Sequence, residues 1–172
     1  MSSTSPLILP VPDNNFEFLE EPVHAGARKL WMYWLGKCAG RPIPDRSDIN
    51  LTQIADIAPH IVIVERAPET NDFRLRLVGS ALAEITGEER TGQLISQIGL
   101  SNRSAGGNVA ARWDAATRLA FDEGKPVFAS ALASRAGKEH LIYHGVSLPL
   151  TNGGTQVEQM IGGLFTTYRV TA

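Results

Sequence analysis

Hydrophobic side chains recur at helical spacing between His24 and Ala39, and this spacing predicts the first helix of the chain. With 3.6 residues per turn, the apolar positions fall on one face of that helix. Gly40 and Pro42 then end the helix. The helix must pack its apolar face on its own domain or on a second copy of the chain. That face comprises Ala27, Leu30, Trp31, Trp34, Leu35 and Cys38.

A change of period predicts two strands in the middle of the chain. A short helix capped by Asn50 comes first. The strand at 61–66 then begins with four β-branched apolar residues, which is typical of a central strand buried on both faces. Residues 73–79 alternate between apolar and basic positions, so one face of the second strand is expected to be exposed to solvent. A polar turn joins the two strands into a hairpin.

The rest of the chain divides into a helical part and a strand-rich part. A short helix covers 81–86, and a longer helix runs from about Asn108 to Glu123. Three strands follow at 126–134, 140–150 and 156–169. The last two strands are joined by a turn that contains Asn-Gly, a strong hairpin signal. This order of elements predicts an α+β domain with one antiparallel sheet.

Composition and charge exclude several classes of protein. Of 172 residues, 43% are hydrophobic and 20% are charged, as in ordinary globular domains. The net charge of −2 gives no basic surface for nucleic acid. One cysteine excludes an internal disulfide and a multi-cysteine metal site. The N-terminus has no basic, apolar leader, and no apolar run is long enough to span a bilayer. We therefore expect a cytoplasmic protein without membrane insertion.

Histidines are the remaining candidates for chemistry. His140 and His144 lie on one face of a predicted strand, about 13 Å apart, so they do not share one metal ion. His144 lies on the same strand face as Val146, and we expect that face to look into the core. We predict no metal site and no catalytic residue, so the chain is not expected to be an enzyme.

Several short motifs, in this order, resemble a bacterial family of single-domain PAS-like proteins. The resemblance extends from about Ala27 to Tyr168. The motifs are Leu30-Trp31-x-x-Trp34, the run from Arg41 to Ile49, the run from Phe73 to Ser80, Ile85-Thr86-Gly87 with Thr91-Gly92, and Leu148-Pro149-Leu150. The resemblance implies a PAS-like five-stranded antiparallel sheet with a helical crossover, here with an N-terminal helical extension. It also implies a sensory or protein-interaction module that is usually dimeric.

The domain organisation predicted on this basis has three parts. Residues 1–22 hold four of the ten prolines and form a flexible N-terminal tail. Residues 23–58 are the N-terminal helical extension, and residues 59–172 are the PAS-like domain. The predicted function is bacterial signalling through dimerisation and through an unidentified partner protein. Two alternatives stay open: a small α+β cone or barrel enzyme with a hydrophobic cavity, and a ligand-free structural adaptor.

The resemblance leaves the cofactor unknown. Cys38 is outside the segment where flavin-photosensing relatives carry their reactive cysteine, and the helix at 108–123 lacks the histidine that commonly ligates haem in haem-sensing relatives. A small-molecule ligand remains an option, because Trp113 either lines a core pocket or fills it. The candidate pocket residues are Leu75, Trp113, Phe121, His144 and Val146. The candidate dimer or packing helix contributes Leu30, Trp31, Trp34 and Leu35.

Overall fold

A computed structural model describes residues 16–86, 89–97, 106–132 and 141–169. The α-helices in this part are α1 (Ala25–Cys38), α2 (Ser80–Thr86) and α3 (Gly106–Glu123). The strands are β1 (Phe16–Leu19), β2 (Ile61–Ala67), β3 (Asp72–Val78), β4 (Val127–Leu132), β5 (Leu141–Thr151) and β6 (Val157–Tyr168). Short 3-10 turns lie at Arg46–Asp48, Leu51–Ile54, Ala58–His60 and Ile95–Gln97.

The described strands form one antiparallel sheet in the order β1-β4-β5-β6-β2-β3. The α+β fold is therefore confirmed, and β2 to β6 begin and end within about two residues of the predicted positions wherever the structure describes them. Residues 133–140, which include His140 and parts of two predicted strands, lie outside the described residues. No helix in the described part of the chain is long and apolar enough to cross a membrane.

β1 is a strand that the sequence did not predict. Residues 16–19 pair with β4 and belong to the sheet instead of a flexible tail, so the sheet has six strands instead of five. Phe16 is buried against Ala129, Ala131 and Tyr143. A four-residue strand beside several prolines carries too short an alternation to be recognised from the sequence alone. Residues 1–15 of the predicted tail are outside the described residues.

Each face of the sheet carries its own hydrophobic layer, because β2 and β5 are apolar on both faces. The α1 layer consists of Ala27, Leu30, Trp34, Ile49, Ile54, Ile57, Ile61, Ile63, Phe128, Val146, Leu148, Leu150, Ile161 and Phe165. The α3 layer, on the opposite face, consists of Val62, Val64, Phe73, Leu75, Leu82, Ile95, Ala120, Phe121, Val127 and Met160. The sheet is therefore the middle of three layers.

A register shift lets β3 contribute to both layers. Val64 pairs with Leu75, but Ile63 pairs with Leu77, so Arg76 is an extra residue between the two pairs. An extra residue reverses which face the following side chains take. Leu75 accordingly packs in the α3 layer and Leu77 against the α1 layer, although simple alternation would put both on one face.

Close backbone approach fixes α1 on the sheet. A Cβ at Gly26 would lie 2.4 Å from the Phe165 ring, and one at Gly163 would lie 3.2 Å from Leu30. Only glycine leaves room for these contacts. One turn further along α1, the indole Nε1 of Trp34 donates a 2.9 Å hydrogen bond to the carbonyl of Pro149 in β5. The helix therefore belongs to the core of the domain.

Candidate functional site

The α3 layer brings together three of the five predicted pocket residues. Leu75 is fully buried, Phe121 is 4% exposed, and Trp113 is partly buried against the same cluster. The rings of Phe121 and Phe73 are 4.7 Å apart between centroids. The rings of Phe73, Trp113 and Phe121 thus lie together between the sheet and α3.

His144 and Val146 do not lie in the α3 layer. Both face α1, on the opposite side of the sheet from Trp113. The alternation along β5 correctly predicts that His144 and Val146 share a face, but it does not specify which helix covers that face. Because β5 is buried on both faces, its apolar pattern is compatible with either assignment.

Small residues form the part of the sheet beneath α3. Ala129 pairs with Gly145, and in the next row Ser147 pairs with Gly162. Strand alternation turns all four toward α3. A Cβ placed on Gly145 would meet nothing closer than the Ala129 carbonyl oxygen, at 4.0 Å. The sheet therefore has space for a side chain at Gly145, whereas a Cβ at Gly162 would lie 2.9 Å from the carbonyl oxygen of Val146.

Arginines border the α3 layer. The guanidinium of Arg66 lies 4.7 Å from the centroid of Phe121, and that of Arg118 lies 5.0 Å from Phe73. Asp114, one turn before Arg118, accepts a 2.9 Å hydrogen bond from it and raises its pKa. Arg112 is buried and donates to the carbonyl of Leu132. The sequence pattern does not single out these arginines as site residues, since most arginines are solvated.

The outward side of α1 is a second candidate site. Leu30 and Trp34 are buried against the sheet, and Trp31 is partly buried with its ring 5.1 Å from Phe128. Leu35, predicted to share their buried face, is 40% exposed, and Met32 is 57% exposed. The predicted packing stripe is therefore split: one part holds α1 on the sheet and the other faces away from the domain.

His144 has no carboxylate partner among the described residues. Its Nε2 lies 2.8 Å from the hydroxyl oxygen of Thr167, and its buried Nδ1 has no hydrogen-bond partner in the described part of the chain. Burial and the neighbouring His24 lower the pKa of His144. The described residues therefore do not provide, at His144, the acid/base pair that the enzyme alternative requires.

Comparison with known proteins identifies the family. A family model described as "PAS domain" matches residues 23–165, which is most of the chain. The chain belongs to the PAS domain family. The match begins before α1, so the PAS match takes in the predicted helical extension as well as the sheet.

One solved structure similar to this PAS domain is described as an RNA-binding light-oxygen-voltage receptor. The identity is 19% and the TM-score is 0.45. The match covers 67% of this chain and 31% of the receptor chain, so the PAS domain spans about a third of the length of that protein. No curated protein matches the chain.

The one cysteine of this PAS domain and its metal-ligating residue types give no sign of a reactive site in the described part of the chain. Cys38, at the end of α1, lies 3.5 Å from the carbonyl oxygen of Trp34, and burial raises the pKa of its thiol. Among the described residues, no group of three or more His, Cys, Asp and Glu side chains has a metal-binding arrangement. The features of this PAS domain that can be related to function are thus the α3 layer and the outward side of α1.

Proposed function

We propose that this chain is a cytoplasmic bacterial signalling module that senses through its α3 layer and acts on a partner through α1. The observation that carries the proposal is the PAS family match over residues 23–165, which includes both the sheet and α1. PAS domains are generally sensory domains, and here the sheet separates the two candidate sites. An event in one layer can alter the other through β2 to β6, whose residues pack in both layers.

The α3 layer supports binding of a small, partly aromatic ligand. Trp113 supplies a ring and one N–H donor, and the sheet beneath α3 has space above Gly145, where an added Cβ would meet nothing closer than 4.0 Å. Buried Thr117 adds a hydroxyl on the same helix. Such a mixture of apolar walls with a few polar groups is typical of small-molecule sites.

The outward side of α1 supports self-association. Met32 is exposed on the helix face opposite Leu30 and Trp34, and Leu35 is exposed beside it, on the flank of α1 that follows Trp31. A second copy of α1 would bury these side chains. In a twofold-symmetric interface each contact is made twice, once from each chain. We therefore propose a homodimer formed by this surface, with a signalling partner that recognises the dimer.

Native mass spectrometry of the purified chain tests the ligand and the assembly together. We expect a dimer mass, plus a small additional mass that disappears when the protein is denatured. Trp113→Ala should remove the additional mass and leave the dimer in place. A bare monomer in the wild type, with Trp113→Ala giving the same spectrum, would contradict the proposed function.

A further inference from the structure

Three histidines from distant parts of the sequence surround one phenylalanine beneath the start of α1. The rings of His24 and His60 stack on Phe165, with centroid distances of 4.8 and 4.9 Å and an angle of 21° in each case. His144 lies 5.2 Å from His24. Phe165 also touches Gly26 in the first turn of α1. The docking of that turn therefore depends on the histidine cluster, defined as His24, His60 and His144.

His24 holds α1 in place through its neutral form. It is the N-cap of α1, and its Nδ1 accepts a 2.9 Å hydrogen bond from the backbone N–H of Gly26. An imidazole nitrogen accepts only while it is unprotonated. Protonation turns Nδ1 into a donor that faces another donor. It also puts a positive charge at the positive end of the helix dipole, without an acidic residue in the first turn.

His144 adds a second site where a proton is unfavourable. It is 8% exposed, and its Nδ1 is buried without an acceptor among the described residues. A proton on Nδ1 would create an imidazolium whose new N–H has no partner, 5.2 Å from His24. Burial is the main cause that lowers the pKa of His24 and of His144, and repulsion from a neighbouring histidine adds to it in both.

The surrounding charged groups do not compensate for a proton on the cluster. Arg28, one turn along α1, donates to the Pro22 carbonyl and is itself positive. Glu17 of β1 is on the same sheet face as His144, two strands away through Ser130, and is exposed. Glu20 and Glu21, which precede α1, are exposed as well.

The remaining charged group near the start of α1 is Lys29, which is paired with Asp56. Neither His24 nor His144 has a carboxylate among the causes of its pKa change.

We propose that His24 and His144 form a proton-responsive latch, which holds the first turn of α1 on the sheet at neutral pH and releases it at mildly acidic pH. The ligand of this site is the proton. A folded-state pKa below the ordinary histidine value of 6.5 means that the undocked form binds more protons. Docking is therefore complete above that value and weakens as the pH falls below it. The latch gives the proposed signalling function a stimulus that acts directly on α1.

Hydrogen–deuterium exchange of the whole chain tests the latch, because it reads α1 and the sheet separately. Protection of each peptide is compared at about pH 7.5 and about pH 5.5, after correction for the intrinsic pH dependence of exchange. In the wild type we expect the protection factors of α1 to fall roughly fivefold at the lower pH, which is the effect of losing one N-cap. The protection of β5 and β6 should stay the same. An unchanged α1, or an equal loss throughout the sheet, would overturn the proposal.

Variants assign the response to the two histidines. His24→Asn keeps a good N-cap that does not titrate, and His144→Gln keeps a polar partner for Thr167. The double variant should lose the pH response of α1, and His24→Asn alone should reduce it. Lys29→Gln is the control, since it removes an ion pair of α1 that lies outside the histidine cluster, and it should leave the response intact. A full response in both histidine variants would also overturn the proposal. A negative result here leaves the dimer and ligand measurements of the proposed function unaffected.

Discussion

Asp45 joins two segments that are far apart in the sequence. Its carboxylate accepts hydrogen bonds from the backbone N–H of Gly153 at 2.7 Å and from the hydroxyl of Thr151 at 2.8 Å, both at the turn between β5 and β6. It also accepts from the backbone and the hydroxyl of Ser47. These donors, Gly153 first and Ser47 next, hold the pKa of Asp45 well below its usual range. This residue therefore gives the Arg41–Ile49 motif a structural role.

Asp45→Asn should destabilise the domain by about 2 kcal/mol, because an amide accepts these hydrogen bonds less strongly and adds two competing donors. Thermal or urea unfolding at neutral pH measures the loss. A carboxylate with a lowered pKa stabilises the fold above its ordinary value of 3.8 and loses that contribution as the pH falls further. The wild type should therefore lose more stability on acidification than the variant. Asp56→Asn, at an exposed ion pair with Lys29, is the control and should change little.

Two glycines give opposite predictions for the same substitution. A Cβ at Gly79 would lie 2.2 Å from the backbone oxygen of Pro59, which cannot move aside like a flexible side chain. Gly79→Ala should cost more than about 2 kcal/mol of unfolding free energy. Gly36, exposed in the last turn of α1, has nothing within 4 Å of an added Cβ, so Gly36→Ala should stabilise by about 0.5–1 kcal/mol. Equal effects of the two variants in chemical denaturation would show that the contact at Gly79 is not tight.

At the scale of elements, the two tryptophans of α1 differ in what their indole N–H groups do. The N–H of Trp34 donates to the Pro149 carbonyl, whereas the buried N–H of Trp31 has no acceptor among the described residues. Trp34→Phe leaves a buried carbonyl unpaired and should cost about 2 kcal/mol. Trp31→Phe removes an unpaired donor and should cost less than about 1 kcal/mol. The difference between the two unfolding free energies checks this, and a larger loss for Trp31→Phe would refute it.

The elements were predictable where a period extends over several residues. Ile61 to Val64 and the run from Leu141 to Leu150 carry such patterns, and the sheet contains both as strands. β1 was missed because four residues beside prolines do not establish a period. The side of the sheet that His144 faces was predicted wrongly for a different reason. Alternation assigns residues to a common face, but only the packing of α1 and α3 decides which face is which.

The candidate site was predictable to a similar extent. Leu75, Trp113 and Phe121 meet in the α3 layer as the sequence suggested. The histidine cluster could not be foreseen, because it joins a helix cap, a 3-10 turn and a strand that are brought together only by the fold. His24 is an uncommon N-cap residue, so no capping pattern in the sequence pointed to it.

At the scale of the whole molecule, the sheet separates a layer suited to a ligand from a helix suited to a partner. α1 is held to the sheet by Leu30 and Trp34 and leaves Met32 and Leu35 exposed. The central claim is that this outward side is where the PAS domain associates with a second copy. Substitutions there should change assembly and leave the fold unchanged, since both side chains are exposed.

Sedimentation equilibrium of the wild type and of Met32→Glu/Leu35→Glu tests that claim most directly. The wild type should sediment as a dimer and the double variant as a monomer with an unchanged melting profile, because four carboxylates would meet in the paired surface. Tyr168→Glu, at a residue that is 74% exposed and that strand alternation turns to the sheet face opposite Thr167 and α1, is the matched control and should remain dimeric. A dimer that persists in Met32→Glu/Leu35→Glu, or a wild type that is monomeric at all concentrations, would contradict the account.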